Sequence, residues 1–202
     1  MSTERKKIPV SDVAGQQVQT NLSYAQNPNT PVYSHRMITK LQARHVRDIA
    51  KAQVYAWRIA FKGILSEALL SGLSIDAFEK KWRNRLTDTN TQYFIWLNES
   101  KEGVGFISFG APKDEEETAD FEIYGIYVHP GYWGKSIGHR LMAFGCSKMK
   151  ESKPTAKIIL WTMKDNTLSQ RFYLRSGFAE SGKKRISERY GETFEEVQFE
   201  RQ

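Results

Sequence analysis

The sequence predicts one mixed α/β (α+β) domain, a central sheet flanked by helices, and three observations carry that expectation. The stretch Glu122–Gly138, EIYGIYVHPGYWGKSIG, reads as strand, tight turn and helix in direct succession. Its first half alternates with β-branched and aromatic residues at Ile123, Tyr124, Ile126, Tyr127 and Val128. Pro130, Gly131 and Gly134 break that pattern, and from Ser136 an apolar series at Ile137, Leu141, Phe144 and Met149, with Met142 and Cys146 beside it, recurs at helical spacing. Second, Tyr93–Leu97 and Val104–Phe109 alternate as the arms of a β-hairpin joined by a longer linker. Third, 202 residues, 40% hydrophobic and 26% charged, are enough to bury one core.

Taken in order, residues 1–32 are dominated by Gln, Asn, Ser and Thr and bury too little apolar surface to offset their ordering entropy. They are expected to be a disordered tail, with the domain occupying 33–202. Val32–Ile38 should be the first strand. From Leu41, the residues Val46, Ile49, Ala50, Gln53, Trp57, Phe61 and Ile64 mark a helix of about five turns, with Arg44, Arg47, Lys51, Arg58 and Lys62 elsewhere on its surface. Gly63–Ser74 reads as a connector, and Ile75–Leu86, with Phe78 and Trp82, as a second helix capped by Ser74 or Asp76. After the hairpin comes an acidic loop, Lys113–Asp120. The central strand, turn and helix are followed by a strand at Lys157–Met163, a helix at Thr167–Ser176, a segment Phe178–Lys184, and a closing strand at Thr193–Phe199.

The formal charge of +7 and the pI near 9.4 raise the question of nucleic acid. The basic residues are scattered among acids, however, without a helix-turn-helix signal, zinc-ligand spacing or an aromatic RNA-binding motif, which argues against that partner. A polyanionic small ligand would exploit the same excess charge through steering. No metal is expected. Cys146 is the single cysteine, so no internal disulfide can form, and its place on an apolar helix face reads as a buried structural thiol. No stretch reaches the roughly eighteen apolar residues of a membrane span, and Met-Ser-Thr-Glu-Arg-Lys-Lys is followed by no apolar signal core. A cytoplasmic location, away from membranes, is the expectation.

The turn after Val128 has chemical content. A helix that starts there leaves its first backbone N–H groups unpaired, and the helix dipole adds partial positive charge to them, which suits a phosphate. Gly134 lets a ligand approach bare backbone, Gly138 avoids a crowding Cβ one turn in, and Lys135 adds a mobile cation. The spacing fits neither a Walker loop, which needs Gly-x-x-x-x-Gly-Lys-Ser/Thr, nor the dinucleotide fingerprint Gly-x-Gly-x-x-Gly, because the glycines fall at Gly131, Gly134 and Gly138. Nucleotide hydrolase and nicotinamide dehydrogenase are therefore disfavoured.

These residues resemble the acetyl-CoA-binding signature of the GNAT superfamily of N-acetyltransferases, Arg/Gln-x-x-Gly-x-Gly/Ala after a strand ending in Val-x-Pro. Here Val128-His129-Pro130 is followed by Trp133, Gly134, Lys135, Ser136, Ile137 and Gly138. Trp133 stands where Arg or Gln is usual, and Ser136 where the middle glycine is usual. Downstream, NTLSQRFYLRSGF from Asn166 to Phe178 is similar to the family's Asn-x-x-Ala-x-x-Phe-Tyr-x-x-x-Gly-Phe element, with Ser169 in place of Ala. The resemblance spans roughly residues 33–200. It implies a largely antiparallel GNAT-like sheet whose central strand splays from the next, and acetyl-CoA as acyl donor. The pyrophosphate would lie at Trp133–Gly138 and His139, and the pantetheine arm along the edge of Ile126, Tyr127 and Val128 with Asn166 as a further contact. The first two helices would form a wall of the acceptor pocket, to which Tyr55, Trp57, Arg58 or Phe61 could contribute, and the acidic loop could attract a cationic acceptor.

Acyl transfer to an amine needs a held thioester, a neutral amine, stabilised charge at the carbonyl and a proton for the departing thiolate. Backbone N–H groups of the strand edge can polarise the carbonyl. A lysine-type amine of pKa about 10.4 costs roughly 4–5 kcal/mol to deprotonate at pH 7, an α-amine only about 1–1.4. Glu122, six residues before Val128, is the candidate base, because the resemblance implies a carboxylate acting through water at that place; its alternative is an ordinary strand acid. Tyr173 is the candidate acid, since a phenol of pKa about 10 can protonate a sulfur; its alternative is a helix aromatic with its hydroxyl bonded to backbone. The expected activity is transfer of acetyl to a primary amine of a small molecule or peptide by direct attack in a ternary complex. Trp133 and Ser136 keep open a non-catalytic acyl-CoA sensor or scaffold. A homodimer is a candidate assembly.

Overall fold

The computed structural model describes residues 37–189 and 191–202. The expected tail, and Val32–Arg36 of the expected first strand, lie outside them. The strands are β1 (Ile38–Lys40), β2 (Gln92–Leu97), β3 (Gly103–Gly110), β4 (Phe121–Val128), β5 (Ile158–Met163), β6 (Ala179–Arg189) and β7 (Glu192–Arg201); the helices are α1 (Val46–Ala60), α2 (Glu67–Gly72), α3 (Ile75–Arg85), α4 (Ile137–Ser152) and α5 (Thr167–Arg175). One seven-stranded sheet runs in the order β1-β2-β3-β4-β5-β7-β6, with β4 and β5 parallel and every other neighbour antiparallel. The expected mixed, largely antiparallel sheet flanked by helices is the architecture observed.

Alternation along the strands feeds two cores. On one face Ile107, Phe109, Ile123, Leu160 and Phe199 pack against Leu141, Met142 and Met149 of α4 and Phe172 and Tyr173 of α5. On the other, Ile95, Phe106 and Met163 meet Ile49, Val54 and Trp57 of α1 and Phe78 and Trp82 of α3. Cys146 belongs to the first core, and burial pushes its thiol pKa up, as suits a structural residue.

Several elements differ from the periodicity. The first long helix begins at Val46, because the Leu41 N–H still extends the sheet by donating to the Tyr93 carbonyl (3.0 Å) and Ala43–His45 forms a 3₁₀ turn. It stops at Ala60, and Gly63, at φ 78°, lies just beyond. The connector after it contains α2, started by Ser66, whose Oγ accepts from the Leu69 N–H (3.2 Å). Ser74, not Asp76, caps α3 by accepting from the Ala77 N–H (3.3 Å). The final hairpin is longer than its apolar pattern suggests. The outer half of β6, Arg185-Ile186-Ser187-Glu188, lies at the sheet edge, where even Ile186 is 71% exposed. At its tip the Glu192 carboxylate accepts hydrogen bonds from the Ser66 N–H (3.2 Å) and the Ser66 hydroxyl, joining β7 to the start of α2.

Candidate active site

Two local irregularities in β4 build the site. Ser108 of β3 pairs with Gly125 and Phe109 with Ile123, so Tyr124 is an extra residue, a β-bulge. The bulge resets the alternation: Ile123, Ile126 and Val128 all pack on the α4 side, while Tyr127 packs on the α1/α3 side. By the same alternation Glu122, next to Ile123, points toward α1 and α3. The second irregularity is the splay. β4 pairs with β5 only from Phe121–Ile123 to Ile158–Leu160, although β4 continues to Val128 and β5 to Met163. Beyond Ile123 the β5-facing edge of β4 is therefore open. A cleft of about 1010 Å³ occupies this gap, lined from one face by α5 and the turn before α4 and from the other by α1 and α3.

The turn carries the cradle expected of it, at a conformational cost. Gly134 has φ 77° and Ser136 φ 59°, both left-handed, and Ser136 is the helix N-cap without a side-chain cap bond. The Arg140 N–H donates to the Ser136 carbonyl (3.1 Å), so the N–H groups of Ile137, Gly138 and His139 precede the first helical bond. Glycine is usual at 136 in the resembling signature, and the left-handed φ supplies the reason. A side chain there costs roughly 1–2 kcal/mol, against which glycine loses about 0.5–1 kcal/mol in chain entropy. Ser136→Gly should thus stabilise the fold by about 0.5–1 kcal/mol in urea unfolding; destabilisation would show that the serine hydroxyl, not the backbone, holds the turn.

Gly138 has a packing role: a Cβ would lie 3.2 Å from the Phe172 ring. The Trp133 indole N–H donates to the Val128 carbonyl (2.7 Å). The His129 N–H donates to Val104 (2.8 Å), toward β3, so the Val128 N–H and C=O face the open edge. Trp133 thus folds back onto the strand instead of presenting a cation. His139 ties the helices together, Nδ1 lying 3.1 Å from Ser176 Oγ and the ring 4.8 Å from that of Phe172.

On α5, Asn166 is 2% exposed; its Oδ1 accepts from the Ser169 N–H (3.0 Å), capping the helix. Its amide nitrogen makes no hydrogen bond to another described residue. The helix closes on Gly177 at φ 81° with Phe178 buried, which accounts for the Gly-Phe pair of the downstream motif. Tyr173 packs between Phe172, Phe178 and Phe199, and its hydroxyl has no hydrogen-bond partner among the described residues. The backbone-bonded alternative for this phenol is not what the fold contains. Burial, with a smaller contribution from Tyr127, holds its pKa well above the ordinary phenol value. Glu122 is 5% exposed, and its Oε2 accepts from the Lys113 N–H (2.9 Å). Beside it, burial and the Glu122 charge push Tyr124 up to about 12.

Glu122, Ile126, Tyr127, Val128, Trp133, Gly134, Ser136, Ile137, Gly138, His139, Asn166 and Tyr173 all line this one cleft. Lys135 does not; its ammonium rests 5.0 Å over the Tyr132 ring. Of the acceptor-wall candidates, Trp57 and Phe61 line the cleft, but Tyr55 packs edge-on against His129, and Arg58 donates to the Leu70 and Leu73 carbonyls (3.3 and 2.8 Å). The acidic loop supplies no carboxylate to the cleft between Asp114 and Asp120. Glu117 accepts from Lys183 (3.0 Å) and Gln198 (2.8 Å), and Asp120 from Lys153 (2.5 Å) and the Lys157 N–H (2.7 Å). Sequence reasoning did not single out Arg171 and Arg175, which bring cations to the α5 side of the cleft. Their i, i+4 spacing around Phe172 and Tyr173 was the available signal.

Among the described residues no helix is long and apolar enough to cross a membrane, and no group of three His, Cys, Asp or Glu could hold a metal ion. The model for the acetyltransferase (GNAT) family matches residues 53–178. The protein named Uncharacterized N-acetyltransferase YuaI, from Bacillus subtilis (strain 168), is 29% identical over 132 residues, 64% of this chain and 74% of that one. The PaiA N-acetyltransferase from Thermoplasma acidophilum, solved in complex with coenzyme A, aligns with TM-score 0.57 at 19% identity over 79% of this chain and 96% of its own. The ribosomal-protein-alanine N-acetyltransferase from Brucella melitensis aligns with TM-score 0.58 at 19% identity over 81% and 98%. Those two likenesses are of fold; the family model spans more than half of the sequence, and on that match the chain belongs to the GNAT family of acetyltransferases.

Proposed function

We propose that this chain moves an acetyl group from acetyl-CoA to a primary amine of a small molecule or peptide, by direct attack of the amine within a ternary complex. The observation that carries the reading is the single cleft through the splayed sheet, reached by a phosphate-suited turn on one face and by an aromatic wall on the other. Bound acetyl-CoA would supply an activated thioester. The chain's own residues do the rest. Main-chain N–H groups of Ile137, Gly138 and His139 hold the diphosphate, with Arg171 and Arg175 adding positive potential from α5. The open edge at Ile126, the Val128 N–H and the Asn166 amide nitrogen pair with the amide-rich arm, and strand N–H groups stabilise charge at the carbonyl oxygen. As the amine nitrogen bonds to the acyl carbon and the C–S bond breaks, Glu122 takes the amine proton through water and Tyr173 gives its hydroxyl proton to sulfur.

The test is thiol release from acetyl-CoA over a panel of amines, polyamines, aminoglycosides and peptide N-termini, with calorimetry of coenzyme binding alongside. Turnover of at least one amine, with heat on adding acetyl-CoA, is the expected result. Absence of any heat would sink the reading. Tight binding without turnover would turn the cleft into a sensor.

A further inference from the structure

One edge of the sheet is its own complement. We infer that two copies of this chain pair antiparallel through the outer edge of β6, with Ile186 opposite Ile186 of the second copy on a two-fold axis. Nothing in this depends on what the cleft transfers.

β6 ends the strand order, with β7 on one side and no described strand on the other, so the backbone groups aimed away from β7 are open to a further strand. Beyond the register shift between Glu180 and Lys184 it pairs with β7 without interruption, from Lys184 opposite Val197 to Arg189 opposite Glu192, so this part of the edge is regular. Alternation sets Lys184, Ile186 and Glu188 on one face and Arg185 and Ser187 on the other. Ile186, at 71%, is the most exposed large hydrophobic side chain among the described residues. Its neighbours on that face carry opposite charges. Lys184 is exposed and lies 3.5 Å from Glu195, a carboxylate that Lys164 already holds at 2.9 Å. Glu188 is exposed, and its side chain makes no ion pair with a described residue.

Charges on an edge strand ordinarily deter a second copy. Here their order, positive, apolar, negative, reads the same when a reversed copy is laid beside it with the signs matched. With Ile186 facing itself, Lys184 faces Glu188 on both sides of the axis and the two isoleucines cover each other; facing Cβ atoms in such a pair lie about 4.5–5.5 Å apart, within reach of both contacts. On the opposite face Arg185 meets Ser187, and each is already bound to Glu196 of its own chain (2.7 and 2.6 Å), so no like charges meet there. Lys183, the next residue out, falls in the register shift and is held by Glu117 (3.0 Å). Other registers fare worse. A shift centred on Arg185 sets that arginine against itself, a shift centred on Ser187 sets Ile186 against Glu188 twice, and an intermediate slip turns facing side chains to opposite faces. A two-fold pairing uses each free edge once, so assembly closes at the dimer and joins two seven-stranded sheets into one.

Sedimentation velocity over a concentration series tests the pairing. The wild type should pass from monomer to dimer and stop there, with micromolar rather than nanomolar affinity because the strand contact is small. Lys184→Glu and Glu188→Lys should each weaken self-association by about tenfold or more, since each sets like charges face to face twice. An equimolar mixture of those two variants should associate at least as well as the wild type, because each then supplies the charge the other lacks, and the double variant Lys184→Glu/Glu188→Lys should dimerise again. Rescue by mixing separates a lost contact from a lost fold, with melting temperatures as a second control. Ile186→Lys, which puts two ammonium groups on the axis, should be monomeric throughout. A wild type that stays monomeric, growth beyond the dimer, a dimer indifferent to Lys184→Glu, or a variant mixture that fails to associate would each overturn the inference.

Discussion

Tyr173→Phe is expected to lower kcat by about 10²–10⁴-fold, the range of a lost general acid, while leaving acetyl-CoA affinity and unfolding free energy nearly unchanged. The ring is held by Phe172, Phe178 and Phe199, contacts that phenylalanine keeps, and the hydroxyl has no protein partner to lose among the described residues. The direction of its pKa shift sharpens the prediction. Because burial raises the phenol above its ordinary value, Tyr173 stays protonated throughout the working pH range and is always ready to donate. Any alkaline limb in wild-type kcat must then come from another group. Steady-state kinetics and denaturant unfolding of the variant measure both parts. A kcat within a factor of two of wild type would end the case for Tyr173 as the acid.

The second large effect belongs to Glu122→Gln. The substitution keeps an oxygen that can accept from the Lys113 N–H, so the β3–β4 loop should remain anchored. What it removes is the proton acceptor. At pH 7, kcat/KM should fall by about 10²-fold, more for an alkylamine than for an α-amine, because the former starts roughly 3 kcal/mol further from its neutral state. The defect should shrink as pH rises toward the pKa of the amine, which then deprotonates in solution. A pH–rate profile with two acceptors of different basicity tests this. A variant whose profile overlays the wild type would leave Glu122 only the task of anchoring the loop.

How much of this was legible in the sequence follows from where local pattern and tertiary context agree. The strand–turn–helix at Glu122–Gly138, the hairpin β2–β3, helices α3 and α5 and strand β5 each have their own periodicity or cap, and they stand within a few residues of expectation. Helix α2 is too short for its apolar spacing to show. The outer half of β6 is written in charged and polar residues because it lies at a sheet edge, so no alternation of hydrophobicity marks it. The bulge at Tyr124 left no compositional trace, yet it decides which way Glu122 and Tyr127 point. At the site, the spacing of small residues located the cradle. It could not show that Lys135 turns outward onto Tyr132, that Trp133 bonds to Val128, or that Glu117 and Asp120 are spent on Lys183 and Lys153. Those outcomes depend on residues far away in the chain, which only the folded arrangement brings near.

The strand order β5-β7-β6 has a consequence for biosynthesis. Among the described strands β6 pairs only with β7, and β7 also fills the outer edge of β5, so the later-made strand is inserted between two that the ribosome has already delivered. At about 5–20 residues per second, a nascent chain ending before Glu192 exposes the apolar edge of Ile158–Met163 for as long as β7 is missing, a surface open to mispairing with other chains. Translational stalling just upstream of Glu192 would therefore leave β7 unmade and β6 without its strand partner at once.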